Sequence, residues 1–83
     1  MIHKIYAVFD SKSEAYSLPF YYQHEGQATR TFSDWVNDSN TPYGKHPEDY
    51  TLFAIGEYDE VTGSITQDKI TSIVNAVQLK QET

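Results

Sequence analysis

The sequence predicts a small α+β domain in which one long helix packs across one face of an antiparallel sheet. Apolar residues alternate with polar ones near the start and again after the middle of the chain, whereas between these segments they recur at helical spacing. We therefore predict strands at residues 2–9, 51–59 and 63–66, a helix at residues 27–37 and a short C-terminal helix. Since 83 residues leave no room for a second core, residues 1–83 are predicted to form a single domain.

The first predicted strand is expected to lie in the centre of the sheet. From Ile5 onward both of its sides carry apolar residues, as in strands that are covered on both faces. A turn follows, in which Ser11 or Ser13 is a candidate cap for a single helical turn over residues 14–16. Because Pro19 cannot donate a hydrogen bond to a sheet, the segment around it is placed at an edge or in an extended arm.

The predicted helix carries one apolar stripe. Ala28, Phe32, Trp35 and Val36 recur at helical spacing, which brings them to the same side. We expect this stripe to pack against the sheet as core. Residues 37–40 are poor helix formers and end the helix.

A polar loop and a hairpin follow. Pro47 biases His46 away from helical backbone angles, and residues 60–63 form the hairpin turn. Gly56, inside the second strand, predicts a bulge or a close approach of another backbone segment.

The tail of the chain is ambiguous. It contains four apolar β-branched residues, Ile70, Ile73, Val74 and Val77. Their spacing suits a short helix that begins at Thr71 or Ser72, whereas their branched side chains also suit a strand. We prefer the helix.

Charge and aromatic content indicate different kinds of partner. Six basic and 12 acidic residues give a net charge of −6, which argues against sequence-independent nucleic-acid binding because phosphates require a basic surface. Seven Tyr, four Phe and one Trp exceed what a small core needs, and exposed tyrosines are common in interfaces and on base-stacking surfaces. The sequence contains no Cys, no secretory signal pattern and no long apolar run, so we expect a soluble cytoplasmic protein without membrane contact.

No motif indicates catalysis. The sequence has no nucleophile elbow, no glycine-rich phosphate loop and no zinc-protease motif. Its densest ionisable cluster is His46-Pro47-Glu48-Asp49, but a divalent ion usually needs three or four converging ligands. We interpret this cluster as loop architecture and predict a non-enzyme without cofactor or metal site.

Five residues are candidates for nucleic-acid contact: Tyr21, Tyr22 and Tyr43 for stacking on bases, and Arg30 and Lys45 for phosphates. Each has a structural alternative. The tyrosines at 21 and 22 can instead cover a core built on Phe20, and Arg30 can instead pair with Asp34 one helical turn further on.

Several motifs together resemble one known family. They are Ala7-Val8-Phe9-Asp10-Ser11, Gly26-x-Ala28-x-Arg30-x-Phe32, His46-Pro47-Glu48-Asp49-Tyr50 and Gly56-Glu57-Tyr58-Asp59. With these motifs the chain resembles the small nonstructural protein of gokushovirus-type microviruses (Microviridae), which are tailless phages with single-stranded DNA genomes. The resemblance implies a DNA-binding role in viral single-stranded DNA replication or packaging, in the cytoplasm of the bacterial host.

Two functions remain open. In the first, the protein binds single-stranded DNA by stacking bases on exposed tyrosines. In the second, it is a dimeric protein–protein module that regulates phage replication or capsid proteins without contacting DNA. In either case we expect a homodimer, because the predicted core is thin, with an interface at an edge strand or at Phe20-Tyr21-Tyr22.

Overall fold

A computed structural model describes residues 1–81 of the chain. These residues form, in order, β1 (Ile2–Asp10), β2 (Ala15–Tyr16), β3 (Phe20–Tyr22), helix α1 (Glu25–Val36), the one-turn helix α2 (Pro42–Lys45), a 3-10 turn (Pro47–Asp49), β4 (Tyr50–Asp59), β5 (Ser64–Thr66), β6 (Thr71–Asn75) and the one-turn helix α3 (Ala76–Leu79). No helix in this part of the chain is long and apolar enough to cross a membrane.

The six strands form one antiparallel sheet around a central pair. β1 and β4 pair along their whole lengths, from Ile2 opposite Asp59 to Asp10 opposite Tyr50. On the outer side of β1, β3 and β2 follow one another along the same edge. On the outer side of β4, β5 and β6 do the same. The sheet is therefore four strands wide, and each edge consists of two short strands.

The prediction of a three-stranded sheet is wrong. The strands predicted at 2–9, 51–59 and 63–66 correspond to β1, β4 and β5, but β2, β3 and β6 complete the sheet. β2 and β3 have two and three residues, too few to show a repeat of period two, and the sequence analysis prefers a helix for the segment that forms β6 although its β-branched residues also suit a strand. The candidate helical turn over residues 14–16 does not form, because Ala15 and Tyr16 pair with the end of β1 as strand β2.

Helix α1 lies on one face of the sheet, as its apolar stripe predicts. Ala28, Phe32 and Val36 are fully buried, and they pack against Tyr6 and Leu52 of the two central strands. The helix begins two residues earlier than predicted, at Glu25. It is the one long helix among the described residues, since α2 and α3 have four residues each.

The C-terminal segment is a strand first and a helix second. The prediction of a helix starting at Thr71 or Ser72 is wrong, because those residues pair with β4 in β6. The short helix that was expected begins at Ala76 and is capped by Asn75, whose Oδ1 accepts a hydrogen bond from the backbone N–H of Val77 at 2.9 Å. The edge of β4 decides this, since its backbone groups need partners that a helix cannot supply.

The end of the described chain is bound to the C-terminus of α1. The side chain of Asn37 donates to the carbonyl of Leu79 at 3.0 Å and accepts from the backbone N–H of Gln81 at 2.8 Å. Nζ of Lys80 donates to the carbonyls of Val36 and Gly44, at 3.3 and 3.2 Å. A cation at this position satisfies carbonyls that the helix leaves unpaired.

Gly56 marks a bulge, as predicted. Ile5 pairs with Gly56 and Tyr6 pairs with Ala54, so Ile55 is an extra residue in β4. A Cβ at Gly56 would lie 2.7 Å from the carbonyl oxygen of Thr66. The neighbouring strand β5 approaches so closely because this side chain is absent.

The turn after β1 depends on the carboxylate of Asp10. Its Oδ1 accepts hydrogen bonds from the backbone N–H groups of Lys12, at 2.9 Å, and Ser13, at 3.5 Å. The bond from Lys12 lowers the pKa of Asp10 below its ordinary value, although partial burial opposes this effect.

The loop before β4 is held by a close backbone contact. Thr41 caps α2 by accepting a hydrogen bond from the N–H of Gly44 at 3.1 Å, and His46 has the non-helical backbone angles that Pro47 predicts. A Cβ at Gly44 would lie 2.3 Å from the carbonyl oxygen of Asp38. Glycine is therefore required there by space.

We predict that Gly44→Ala lowers the free energy of unfolding by about 1–3 kcal/mol, because the backbone of Asp38 must move to admit the methyl group. Urea titration followed by circular dichroism measures this. The matched control is Gly26→Ala in α1, where a Cβ meets nothing within 4 Å and stability should be unchanged or slightly higher. Equal effects at both positions would contradict the close contact at Gly44.

The lowered pKa of Asp10 predicts a pH effect. Its stabilising contribution is fully present above the ordinary pKa of about 3.9 and is lost as pH falls through the lower folded-state value. The difference in unfolding free energy between wild type and Asp10→Asn should be constant near neutral pH and shrink in acid. Urea midpoints at a series of pH values check this, with Asp34→Asn as control. A difference that does not change with pH would refute it.

Candidate nucleic-acid interface

The face of the sheet opposite α1 carries a row of apolar and aromatic side chains. Side chains alternate along a strand, so His3, Ile5, Ala7 and Phe9 point away from the face that packs on the helix. Among residues 1–81, the helices all lie on the other side, against the core around Tyr6. We call this second surface the open face.

One end of the open face is a cluster of three rings, which we call the aromatic triad: Phe9, Tyr16 and Phe53. The ring centres of Phe9 and Tyr16 are 4.9 Å apart, and those of Tyr16 and Phe53 are 5.7 Å apart. The strand pairings bring them together, since Phe9 is opposite Tyr16 on one side and Ala7 is opposite Phe53 on the other. Tyr16 remains 46% exposed.

The other end of the open face is a shallow groove of about 410 Å³, which we call the tyrosine groove: His3, Tyr21, Tyr58 and Ile65. Tyr21 is 52% exposed and Ile65 is 68% exposed. His3 lies between them in the sheet, with Nε2 3.2 Å from Oε2 of Glu60. Planar rings and an imidazole thus line a surface that is open to solvent.

A comparison with protein families identifies the family of the chain. A family model described as Phage ORF5 protein matches residues 3–79 of the 83. The chain belongs to this family. It is therefore a bacteriophage protein, which confirms the coarser part of the resemblance. No curated protein and no solved structure matches the chain.

Of the three tyrosines predicted to stack on bases, the phage protein presents only Tyr21 on the open face. Tyr22 points to the helix side, where its hydroxyl hydrogen bonds to Oγ1 of Thr31 at 2.7 Å. Tyr43 also lies on the helix side, with its ring 5.8 Å from that of Trp35 and 4.8 Å from that of Tyr50. Burial raises the pKa of Tyr43, and the carboxylate of Asp10 raises it further. The rings of Tyr22 and Tyr43 are thus largely occupied by protein contacts.

The two predicted phosphate contacts lie apart from Tyr21. Arg30 is exposed on α1, in the layer on the opposite side of the sheet, and Lys45 is exposed at the end of α2. Within residues 1–81, the ion pairs involve Glu60 with the N-terminus and His3, so the alternative pairing of Arg30 with Asp34 does not form there. The structure therefore does not gather the five predicted contact residues on one surface.

The open face also contains residues that sequence reasoning did not select. They are Phe9, Tyr16, Phe53, Tyr58 and Ile65. The composition showed that aromatic residues are in excess, but it did not show which of them are exposed. The alternation of side chains along β1 places Phe9 on the same face of the sheet as Ile5 and Ala7, but it does not show which of the two faces the helix covers.

The open face is poor in cations. The tyrosine groove contains no Lys or Arg, and Glu60 lies beside its His3. In the described part of the chain, no three His, Asp or Glu side chains converge as metal ligands, including those around His46. The surface can stack planar groups and bury apolar ones, but it offers little to neutralise phosphates.

Two tyrosines on the helix side provide a matched test of this packing. The hydroxyl of Tyr6 is buried without a hydrogen-bond partner among residues 1–81, and burial raises its pKa, with a smaller contribution from Glu25. We predict that Tyr6→Phe leaves the unfolding free energy unchanged or raises it by up to about 1 kcal/mol, because no bond is lost.

Tyr22→Phe removes the bond to Thr31 and should cost about 0.5–1.5 kcal/mol. Urea unfolding of the two variants beside wild type checks both values. If Tyr6→Phe were as costly as Tyr22→Phe, the hydroxyl of Tyr6 would have a stabilising partner in solution.

Proposed function

We propose that this phage protein binds single-stranded DNA on the open face of its sheet and acts in viral single-stranded DNA replication or packaging in the bacterial cytoplasm. The observation that supports the proposal best is the set of solvent-accessible rings on the open face, namely the aromatic triad and the tyrosine groove. Stacking of a base on an aromatic side chain contributes about 1–3 kcal/mol and tolerates any base. The resemblance to microvirus nonstructural proteins favours the same role.

The spacing of the two ring groups suits an extended strand of several nucleotides. Phe9 of the aromatic triad and His3 of the tyrosine groove are six residues apart on β1. At about 3.3 Å per residue, the two groups are roughly 20 Å apart. Ile5 and Ala7, which lie between them on the same side of β1, are buried. Several-stranded sheets with exposed aromatics bind single strands in this way in other folds.

The acidic charge limits the electrostatic part of such binding. Lys12 follows Phe9 of the aromatic triad by three residues in sequence and lies in the turn after β1. Arg30 and Lys45 lie on the helix side. If the protein neutralises two phosphates, the logarithm of the binding constant should fall with the logarithm of salt concentration at a slope of about −1.4. Affinity should then depend mainly on stacking.

The second candidate is a protein-binding dimer that acts on phage replication or capsid proteins. The observation that favours it is the absence of Lys and Arg from the lining of the tyrosine groove, together with the net charge of −6. Apolar and aromatic surfaces without charge are typical of the centres of protein interfaces. In this case a second copy of the chain covers the open face.

Fluorescence anisotropy with a labelled single strand of about 20 bases distinguishes these candidates. We predict that the double variant Tyr16→Ala with Tyr21→Ala weakens binding at least about ten-fold, because two stacking platforms are lost. The matched control is Arg30→Ala with Lys45→Ala, which removes two exposed cations from the helix side and should weaken binding less.

Two outcomes would overturn the proposal. A larger effect of the cation variant would move the site to the helix side. Absence of saturable binding at low salt would remove DNA as a ligand. Sedimentation equilibrium then tests the second candidate, which requires a dimer that Tyr16→Ala with Tyr21→Ala dissociates, and a monomer throughout the micromolar range would exclude it.

A further inference from the structure

A separate pocket of about 220 Å³ lies at the end of β1, between β2 and the loop that carries α2. Val8 and Asp10 line it from β1, Tyr50 from β4 and Tyr43 from α2. Asp10 and Tyr50 are direct partners in the ladder, so their side chains stand next to each other on the helix side of the sheet. Tyr16 of the aromatic triad also lines the pocket, whereas the tyrosine groove shares no residue with it.

One carboxylate and two tyrosines line this pocket. Oδ1 of Asp10 is used by the turn after β1, and the hydroxyl of Ser13, which also lines the pocket, hydrogen bonds to the same carboxylate. Tyr43 and Tyr50 are close enough to Asp10 that its charge raises the pKa of both phenols, in addition to the larger effect of their burial. At neutral pH the pocket therefore combines one carboxylate with two uncharged hydroxyls.

The walls of the pocket are aromatic. The rings of Tyr43 and Tyr50 meet edge to face with their centres 4.8 Å apart, and Tyr43 is also stacked on Trp35, so the ring of Tyr50, the ladder partner of Asp10, is the aromatic wall next to the carboxylate. Cations bind over the faces of such rings, and a carboxylate adds a charged acceptor. In the described chain no ion pair within 4.0 Å neutralises Asp10.

We propose that this pocket binds the guanidinium group of an arginine side chain from a basic segment of a protein partner. Guanidinium is planar, stacks on tyrosine rings and has five N–H donors in a fork, which match several converging acceptor oxygens. A phosphate or a nucleic-acid backbone is disfavoured, because the carboxylate repels it. The net charge of −6 attracts a basic segment to the surface around the pocket.

This proposal concerns a ligand other than DNA, and it can be wrong even if the protein binds DNA. Asp10 and its ladder partner Tyr50 lie on the helix side of the sheet, so a substitution at Asp10 removes none of the rings of the open face. Asp10→Asn retains the Oδ1 that closes the turn, and it is therefore expected to fold.

An NMR titration of the ¹⁵N-labelled protein with three small probes tests the proposal. The probes are N-acetylarginine methylamide, N-acetyllysine methylamide and the uncharged N-acetylcitrulline methylamide. We expect the amide signals of Asp10, Tyr43 and Tyr50 to shift saturably with the arginine probe, at least five-fold more weakly with the lysine probe, and not with the citrulline probe.

The variant Asp10→Asn should weaken binding of the arginine probe at least ten-fold. Asp59→Asn is the matched control, because Asp59 also closes a turn through Oδ1, at 2.9 Å from the N–H of Val61, but lies at the opposite end of the same ladder. Shifts spread over all acidic residues, an equal effect of the two variants, or binding of the citrulline probe would each overturn the proposal.

Discussion

The pairing of β1 with β4 is the interaction on which the rest of the structure depends. It is the one ladder that joins two long strands, and all four short strands attach to its outer edges. Strands of two or three residues do not persist alone, because they gain too few hydrogen bonds to offset the order they impose. The bulge at Ile55 and the missing side chain of Gly56 let β5 join this ladder.

This ladder also separates the molecule into two chemically different faces. Tyr6 and Val8 point to α1 and form the core, whereas Phe9 and its neighbours on alternate positions point to the open face. A slip of the register by one residue would exchange these two sets. The nine paired positions thus determine which aromatic rings support the fold and which remain accessible to a ligand or partner.

Long-range contacts hold the helix side in place. Lys80 bridges the end of α1 to Gly44, and Asn37 binds the backbone on both sides of Lys80. These contacts help to position the loop in which Tyr43 lines the same pocket as Asp10. The carboxylate of Asp10 closes the turn after β1 and also lines a pocket with two tyrosines, whose pKa values its charge raises. A turn residue thereby becomes part of a pocket.

The sequence by itself determined the two long strands, helix α1 with its buried stripe, and the irregularity at Gly56, because each follows from local periodicity or from the residue type. Motifs spread along the chain also indicated a phage family. Only the tertiary structure decided the edge strands β2, β3 and β6, the placement of Tyr21 and Tyr22 on opposite faces, and the open face itself. Two-residue and three-residue strands carry no periodic signal, and whether a face is covered depends on where a distant helix packs rather than on the strand's own residues.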